Sequence, residues 1–169
     1  LVDADLSGVL LGLTLATQPA EIYRALLEAT AFGTLMVLDT FEEGGIAIHE
    51  LHACGGVATK SPLLLQLYAD VTGRPVEAYD VPHASALGAA VYGATAGGVH
   101  ADLLTATRTM GARPVRRHEP RDESRQIYHR LYEVYRDVHA SFSRPGGVVK
   151  RLRHLQHAAQ REQSPVRFE

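Results

Sequence analysis

Residues 53–62 read Ala53-Cys54-Gly55-Gly56-Val57-Ala58-Thr59-Lys60-Ser61-Pro62. Leu51-His52-Ala53-Cys54 is a short strand candidate that runs straight into two glycines. A helix follows from Pro62, with Ser61 as its cap and Gly73 as its stop. Glycines permit positive φ and let a ligand touch the backbone. The unpaired N–H groups of a following helix favour an anion. The carboxyl end of a strand in an α/β unit is also where such folds place ligands. Read locally, the glycine pair is a weak signal, and a tight turn is the favoured explanation of it. Neither GxxxxGK[ST] nor GxGxxG is present.

Working outward, Pro75-Val76-Glu77-Ala78-Tyr79 gives a second strand candidate. Residues 84–96, ASALGAAVYGATA, predict a small-residue helix that packs tightly. Upstream, Gln18-Pro19-Ala20-Glu21 is a helix start, and Gly44-Gly45 ends that helix. Ile22, Leu26, Ala29, Phe32 or Gly33, Met36, Val37 and Thr40 mark its expected apolar face. Residues 6–16, LSGVLLGLTLA, predict a strand or an apolar approach segment. The alternation of helices and strands is that of an α/β domain.

Downstream, residues 103–110 predict a short helix, and 111–120 an irregular basic stretch. A long helix is expected over 122–142, with Ile127, Leu131, Val134 and Val138 as its apolar line and tyrosines beside it. Tyr128, Leu131, Tyr132, Tyr135 and Val138 are expected to pack inward. Residues 1–143 are assigned to the domain, and 144–169 to a basic tail, helical over about 148–160 or disordered.

The 169 residues are 46% hydrophobic and 21% charged, which suits one ordinary domain. The single cysteine, Cys54, excludes an intrachain disulfide framework and a four-cysteine zinc site. It is expected to be a small buried hydrophobe. No apolar run reaches the length of a membrane span. Residues 1–112 carry a net charge of −8 and residues 113–169 a net of +6. Acids interleave with the basic part, so a solvated helix face accounts for it better than nucleic acid. His49, His52 and Cys54 lack a fourth ligand, and no metal centre is assigned. Asp3, Asp5, Asp39, Asp70, Asp80 and Asp102 form no acid/base pair by spacing, and Asp70 reads as a cap or surface residue. Lys60 is either a solvated lysine or a mobile cation for a phosphate or ribose.

The chain resembles the FGGY carbohydrate kinases, in their C-terminal part, and within them the ribulokinase branch. The resemblance rests on GLTLAT at 12–17, PAEIYRALLEATAFGT at 19–34 and CGGVATKSPLLLQLYADVTGRPV at 54–76. It extends through ASALGAAVYGATAGG at 84–98, YHRLYEVYRDVHASF at 128–142 and VVKRLRHL at 148–155. It departs at Pro82-His83-Ala84-Ser85, which leaves substrate preference open.

This resemblance implies an α/β, actin-like (ribonuclease-H-like) ATPase C-terminal domain with a long C-terminal helix. It implies ATP and Mg²⁺, and phosphoryl transfer to ribulose within pentose or arabinose catabolism in the cytoplasm. It places Gly55, Gly56, Val57, Ala58 and Lys60 beside the nucleotide, and Gly88 in the helix shaping that side. The catalytic aspartate and the sugar-binding residues would lie upstream, so no catalytic residue is assigned here and this chain alone is expected to be inactive. Another pentulose or polyol, or a non-catalytic nucleotide-binding module, remains the alternative. The expected partners are ATP and a pentulose held through an upstream domain, without nucleic acid or membrane; a homo-oligomer is left open.

Overall fold

The computed structural model describes residues 6–56 and 60–163. Among the described residues the elements follow in the order α1 (Pro19–Glu43), β1 (Leu51–Cys54), α2 (Pro62–Thr72), β2 (Val76–Tyr79), α3 (Ala84–Ala96), α4 (Leu103–Met110), β3 (Pro114–His118), α5 (Asp122–Phe142) and α6 (Val148–Gln163). They fall into two units, Ala25–Tyr128 and Leu1–Arg24 with His129–Glu169.

The first unit holds the sheet, in the order β1-β2-β3. β1 and β2 are parallel, with Leu51 opposite Val76 and Cys54 opposite Tyr79. β2 and β3 are antiparallel, with a register irregularity between Ala78 and Tyr79. The basic stretch expected to be irregular therefore supplies a third strand. Pro-Val-Arg-Arg-His has little apolar content, and its first four residues are exposed. It forms as an edge strand through pairing with β2 rather than through burial of its own side chains.

One face of the sheet is the core face. Leu65 and Ala69 from α2 pack with Val76 and Ala78 from β2, and Leu51, Ala53 and Tyr68 close the cluster. The period of two along β1 and β2 sends the alternate residues, His52, Cys54, Glu77 and Tyr79, to the opposite face. Cys54 is consequently exposed, contrary to the expectation of a buried thiol.

The α2 boundaries follow from its caps. The Ser61 hydroxyl accepts from the Leu64 N–H at 3.4 Å. Gly73 ends the helix at φ +65, where its N–H donates to Ala69 O. Arg74 then donates to Ile48 O and Thr72 O, each at 2.8 Å, and its guanidinium meets Glu42. The end of α1 is thereby tied to the turn that feeds β2.

A buried polar cluster closes the far side of α2. Asp70 is 1% exposed. It accepts from the Arg121 backbone N–H at 2.8 Å, the Arg121 guanidinium at 2.5 Å and Gln66 Nε2 at 3.0 Å. The reading of Asp70 as a cap or surface residue is thus overturned: its partner lies 51 residues away in sequence. Gln66 also donates to Glu119 O, and its Oε1 pairs with His118 Nδ1 at 3.2 Å. That pairing makes Nδ1 the donor and leaves the buried Nε2 without a partner.

The expected faces of two helices hold in part: Phe32 in α1 and Tyr128 and Tyr132 in α5 are buried as expected. In α1 the buried residues are Ala31, Phe32 and Leu38, while Leu26 and Val37 are exposed. In α5, Tyr128 and Tyr132 are buried, while Ile127, Leu131 and Val134 are exposed. Arg130, Glu133 and Arg136 face outward as expected. The small-residue helix α3 is loosely covered: only Val91 is buried, and a Cβ on Gly88 or Gly93 would meet nothing within 4 Å. In the second unit, 6–16 forms no strand, and Tyr132 and Val149 are its buried hydrophobic residues among those described.

Candidate functional site

The site grows from the carboxyl ends of the two parallel strands. β1 delivers Cys54, and Gly55 follows at φ +85. An L side chain rarely adopts that backbone conformation, so Gly55 is required by the turn itself. Gly56 and Lys60 have helical backbone. A Cβ on Gly56 would meet nothing within 4 Å, so nothing in the described chain demands glycine there. Open space at a strand end, before a helix, is what an approaching anion needs.

A groove of about 450 Å³ adjoins this turn. Cys54, Tyr79, Leu87, Gly88, Tyr92 and Thr107 are among its lining residues. The structure therefore brings Gly88 to the groove that also takes in Cys54, the residue before Gly55. Lys60 is exposed and does not line the groove. Val57 and Ala58 lie outside the described residues. A second hollow of about 310 Å³ has a mostly apolar wall that includes Leu51, Ala53, Leu64, Leu65 and Tyr68.

A charged cluster covers the same sheet face as Tyr79. His52 Nδ1 and the Tyr79 hydroxyl are 3.0 Å apart, and that hydroxyl donates to Glu77 Oε2 at 2.8 Å. Arg117 reaches Glu77 at 2.9 Å, Glu50 at 3.1 Å and Glu119 at 2.6 Å. The Tyr79 and Arg117 hydrogen bonds hold the Glu77 carboxyl below the usual carboxylate range. Burial and the Glu77 carboxylate push the Tyr79 hydroxyl up. Sequence reasoning missed this cluster because Arg117 joins it only through the β2–β3 pairing.

Glu50, His52 and Glu77 bring three potential metal donors together. His52 thus joins two glutamates rather than the His49 and Cys54 considered from spacing. One Arg117 nitrogen already bonds to both carboxylates, which fits an ion-pair network better than a divalent cation. Two of the six aspartates singled out are structural. Asp70 anchors Arg121, and Asp102 caps α4 by accepting from Thr105 N–H at 2.7 Å. Asp3 and Asp5 lie outside the described residues.

Comparison with known proteins bears on this arrangement. Residues 1–97 match the model of the FGGY family of carbohydrate kinases, C-terminal domain. A ribulokinase of Bacillus licheniformis is 44% identical over 159 residues, which is 92% of this chain and 29% of that protein. A ribulokinase of Mycolicibacterium smegmatis is 43% identical, over 97% of this chain and 29% of that protein. The chain thus spans under a third of the length of these curated relatives. Among solved structures, a xylulose kinase from Rhodospirillum rubrum superposes with a TM-score of 0.71 and 30% identity, over 80% of this chain and 27% of that one. A gluconate kinase from Lactobacillus acidophilus, at 22% identity and a TM-score of 0.70 over 83% of this chain and 28% of that one, shares the fold. The α/β kinase fold that the sequence resemblance implied is therefore the fold of this chain.

Proposed function

Because the chain belongs to the FGGY family of carbohydrate kinases, we propose that it supplies the nucleotide side of an ATP-dependent sugar kinase. The longer enzyme would transfer the γ-phosphoryl of ATP to the terminal hydroxyl of ribulose. A bond forms from that oxygen to phosphorus as the bond to the β-phosphate oxygen breaks, and a base from the upstream part accepts the hydroxyl proton. Ribulose 5-phosphate and ADP result, in cytoplasmic pentose or arabinose use. Two relatives named ribulokinase support that substrate. The xylulose and gluconate kinases that share the fold keep another pentulose or polyol as the second reading.

The observation that carries the nucleotide role is the open Gly55-Gly56 turn at the end of a parallel strand. Phosphoryl transfer depends mostly on positioning and charge stabilisation. In this reading the backbone N–H groups of the turn hold phosphate oxygens. Lys60 reaches the nucleotide as a mobile cation, and the groove beside Gly88 takes the nucleoside end. Mg²⁺ would neutralise phosphate charge when bound. Asp70, Asp102, Glu50 and Glu77 are already engaged, so they do not fit as its cage. Phosphate oxygens, water and the upstream part would hold it.

The test is ribulose-dependent ADP formation by this 169-residue chain and by the polypeptide extended upstream to family length. We expect turnover from the extended polypeptide and none above background from this chain. Turnover by this chain at a comparable rate would contradict the division of roles. Nucleotide binding by the extended polypeptide, without turnover on any pentulose or polyol, would favour a non-catalytic module.

A further inference from the structure

We infer that α6 is an association helix, and that its exposed seam pairs antiparallel with α6 of a second copy of this protein. Val148, Leu152, Leu155 and Ala159 recur at steps of four, three and four residues. That alternation is the seam by which one helix packs along another. The three larger side chains are 69%, 49% and 69% exposed. Ala159 is exposed as well. A different flank holds α6 to its own unit: Val149 is buried there, and Lys150 and Arg153 are half-buried. The helix is thus anchored with its seam open.

The seam is complementary to itself. Run antiparallel, it places Leu152 opposite the second copy's Leu155 and Val148 opposite its Ala159. The larger side chain of each end layer fills the room left by the smaller one. Charge does not oppose the pairing. Lys150, His154 and His157 lie on the helix face away from the seam. Arg151, at the seam's edge, would meet only the neutral Gln156 and Ala158. Leu131 and Val134 of α5 are exposed in the same unit. With them the unit presents on the order of 500 Å² of apolar side chain per copy, about 1,000 Å² for a pair, the lower bound of a specific interface. An anionic lipid surface is the poorer match, because residues 1–112 carry a net charge of −8 that such a surface repels. The family-model match ends at residue 97, so α6 lies outside it. The inference goes beyond the nucleotide reading and does not depend on it.

The test is sedimentation equilibrium of the polypeptide extended upstream to family length, over a series of concentrations. The expected result is a monomer–dimer equilibrium with a Kd on the order of 10 μM, the strength of a small interface. Leu155→Glu should raise that Kd at least ~100-fold, by burying a charge in the seam. Leu152→Gln, a neutral change, should weaken the dimer in the same direction. His154→Glu puts the same charge on the face away from the seam and should change the Kd by less than about twofold. A monomer at every concentration would overturn the inference. So would a dimer that Leu155→Glu and Leu152→Gln leave intact, or one that His154→Glu dissolves equally. Co-sedimentation of a monomer with phosphatidylglycerol vesicles, lost in Leu155→Glu, would overturn it by assigning the seam to a lipid surface.

Discussion

Replacing Tyr128 with Ala should cost about 3–4 kcal/mol, from the loss of a buried aromatic ring and its hydroxyl contact. Tyr128 is 5% exposed. Its ring meets Phe32 edge-on, with centroids 6.2 Å apart and planes at 70°. Its hydroxyl donates to Glu28 Oε1 at 2.8 Å. Tyr128→Phe keeps the ring contact and should cost about 1 kcal/mol, the value of one hydrogen bond. Leu131, three residues on, is 44% exposed. Leu131→Ala should therefore cost less than about 1 kcal/mol. Urea melts of the three variants under one set of conditions give the comparison. Equal losses from Tyr128→Ala and Leu131→Ala would mean that the two residues are equally buried.

Asp70→Ala should cost about 2–4 kcal/mol, because it removes a buried carboxylate that accepts several hydrogen bonds. The lower part of that range reflects Arg121, whose side chain is 63% exposed and regains water. Asp70→Asn should cost less, since one oxygen still accepts from the Arg121 N–H.

The same cluster sets an acid response. Burial pushes the Asp70 carboxyl up, but the Arg121 and Gln66 hydrogen bonds outweigh it and hold the group below its ordinary 3.8. Its stabilisation is full above that ordinary value and is lost as pH falls through the lower folded value. Burial, then the Arg116 charge, lowers His118 from its ordinary 6.5. The neutral ring stabilises the fold above 6.5, and that share erodes as pH falls from 6.5 towards the folded value. Melts across pH should show both steps in the native protein. Asp70→Asn should flatten the step that begins below 3.8 and keep the one that begins below 6.5. An unchanged acid limb in Asp70→Asn would remove Asp70 from the account.

The helices were legible in the sequence because their ends carry local chemistry. Pro19, Ser61-Pro62, Gly73 and Gly97 mark starts and stops whatever the tertiary context. Faces were less legible. Helix α1 carries apolar residues nearly all round, so the period found Phe32 but could not choose between Leu26 and Val37 on one side and Ala31 and Leu38 on the other. In α5 the tyrosines and the leucine–valine line are neighbours on the helix, and packing chose the tyrosines. Long-range pairing was the least legible. β3 exists through β2, and Asp70 is buried because Arg121 comes to it from 51 residues away. At the candidate site, Gly55 was legible as a turn glycine, and its φ of +85 gives the reason. Gly88 reads from sequence as a residue of a tightly packed helix, yet it lines an open groove. Tightness requires a neighbour, and composition alone does not provide one.

The central claim is that the Gly55-Gly56 turn receives the nucleotide. The direct measurement is calorimetric titration of MgATP and, separately, ribulose into the polypeptide extended to family length, as native protein and as Gly56→Val. A Cβ at Gly56 meets nothing within 4 Å, so the valine's branched side chain would occupy the room a phosphate needs. We predict a loss of ATP affinity of about 100-fold, equivalent to about 2.7 kcal/mol, with ribulose affinity unchanged. Unchanged ATP affinity in a folded Gly56→Val protein would contradict the claim.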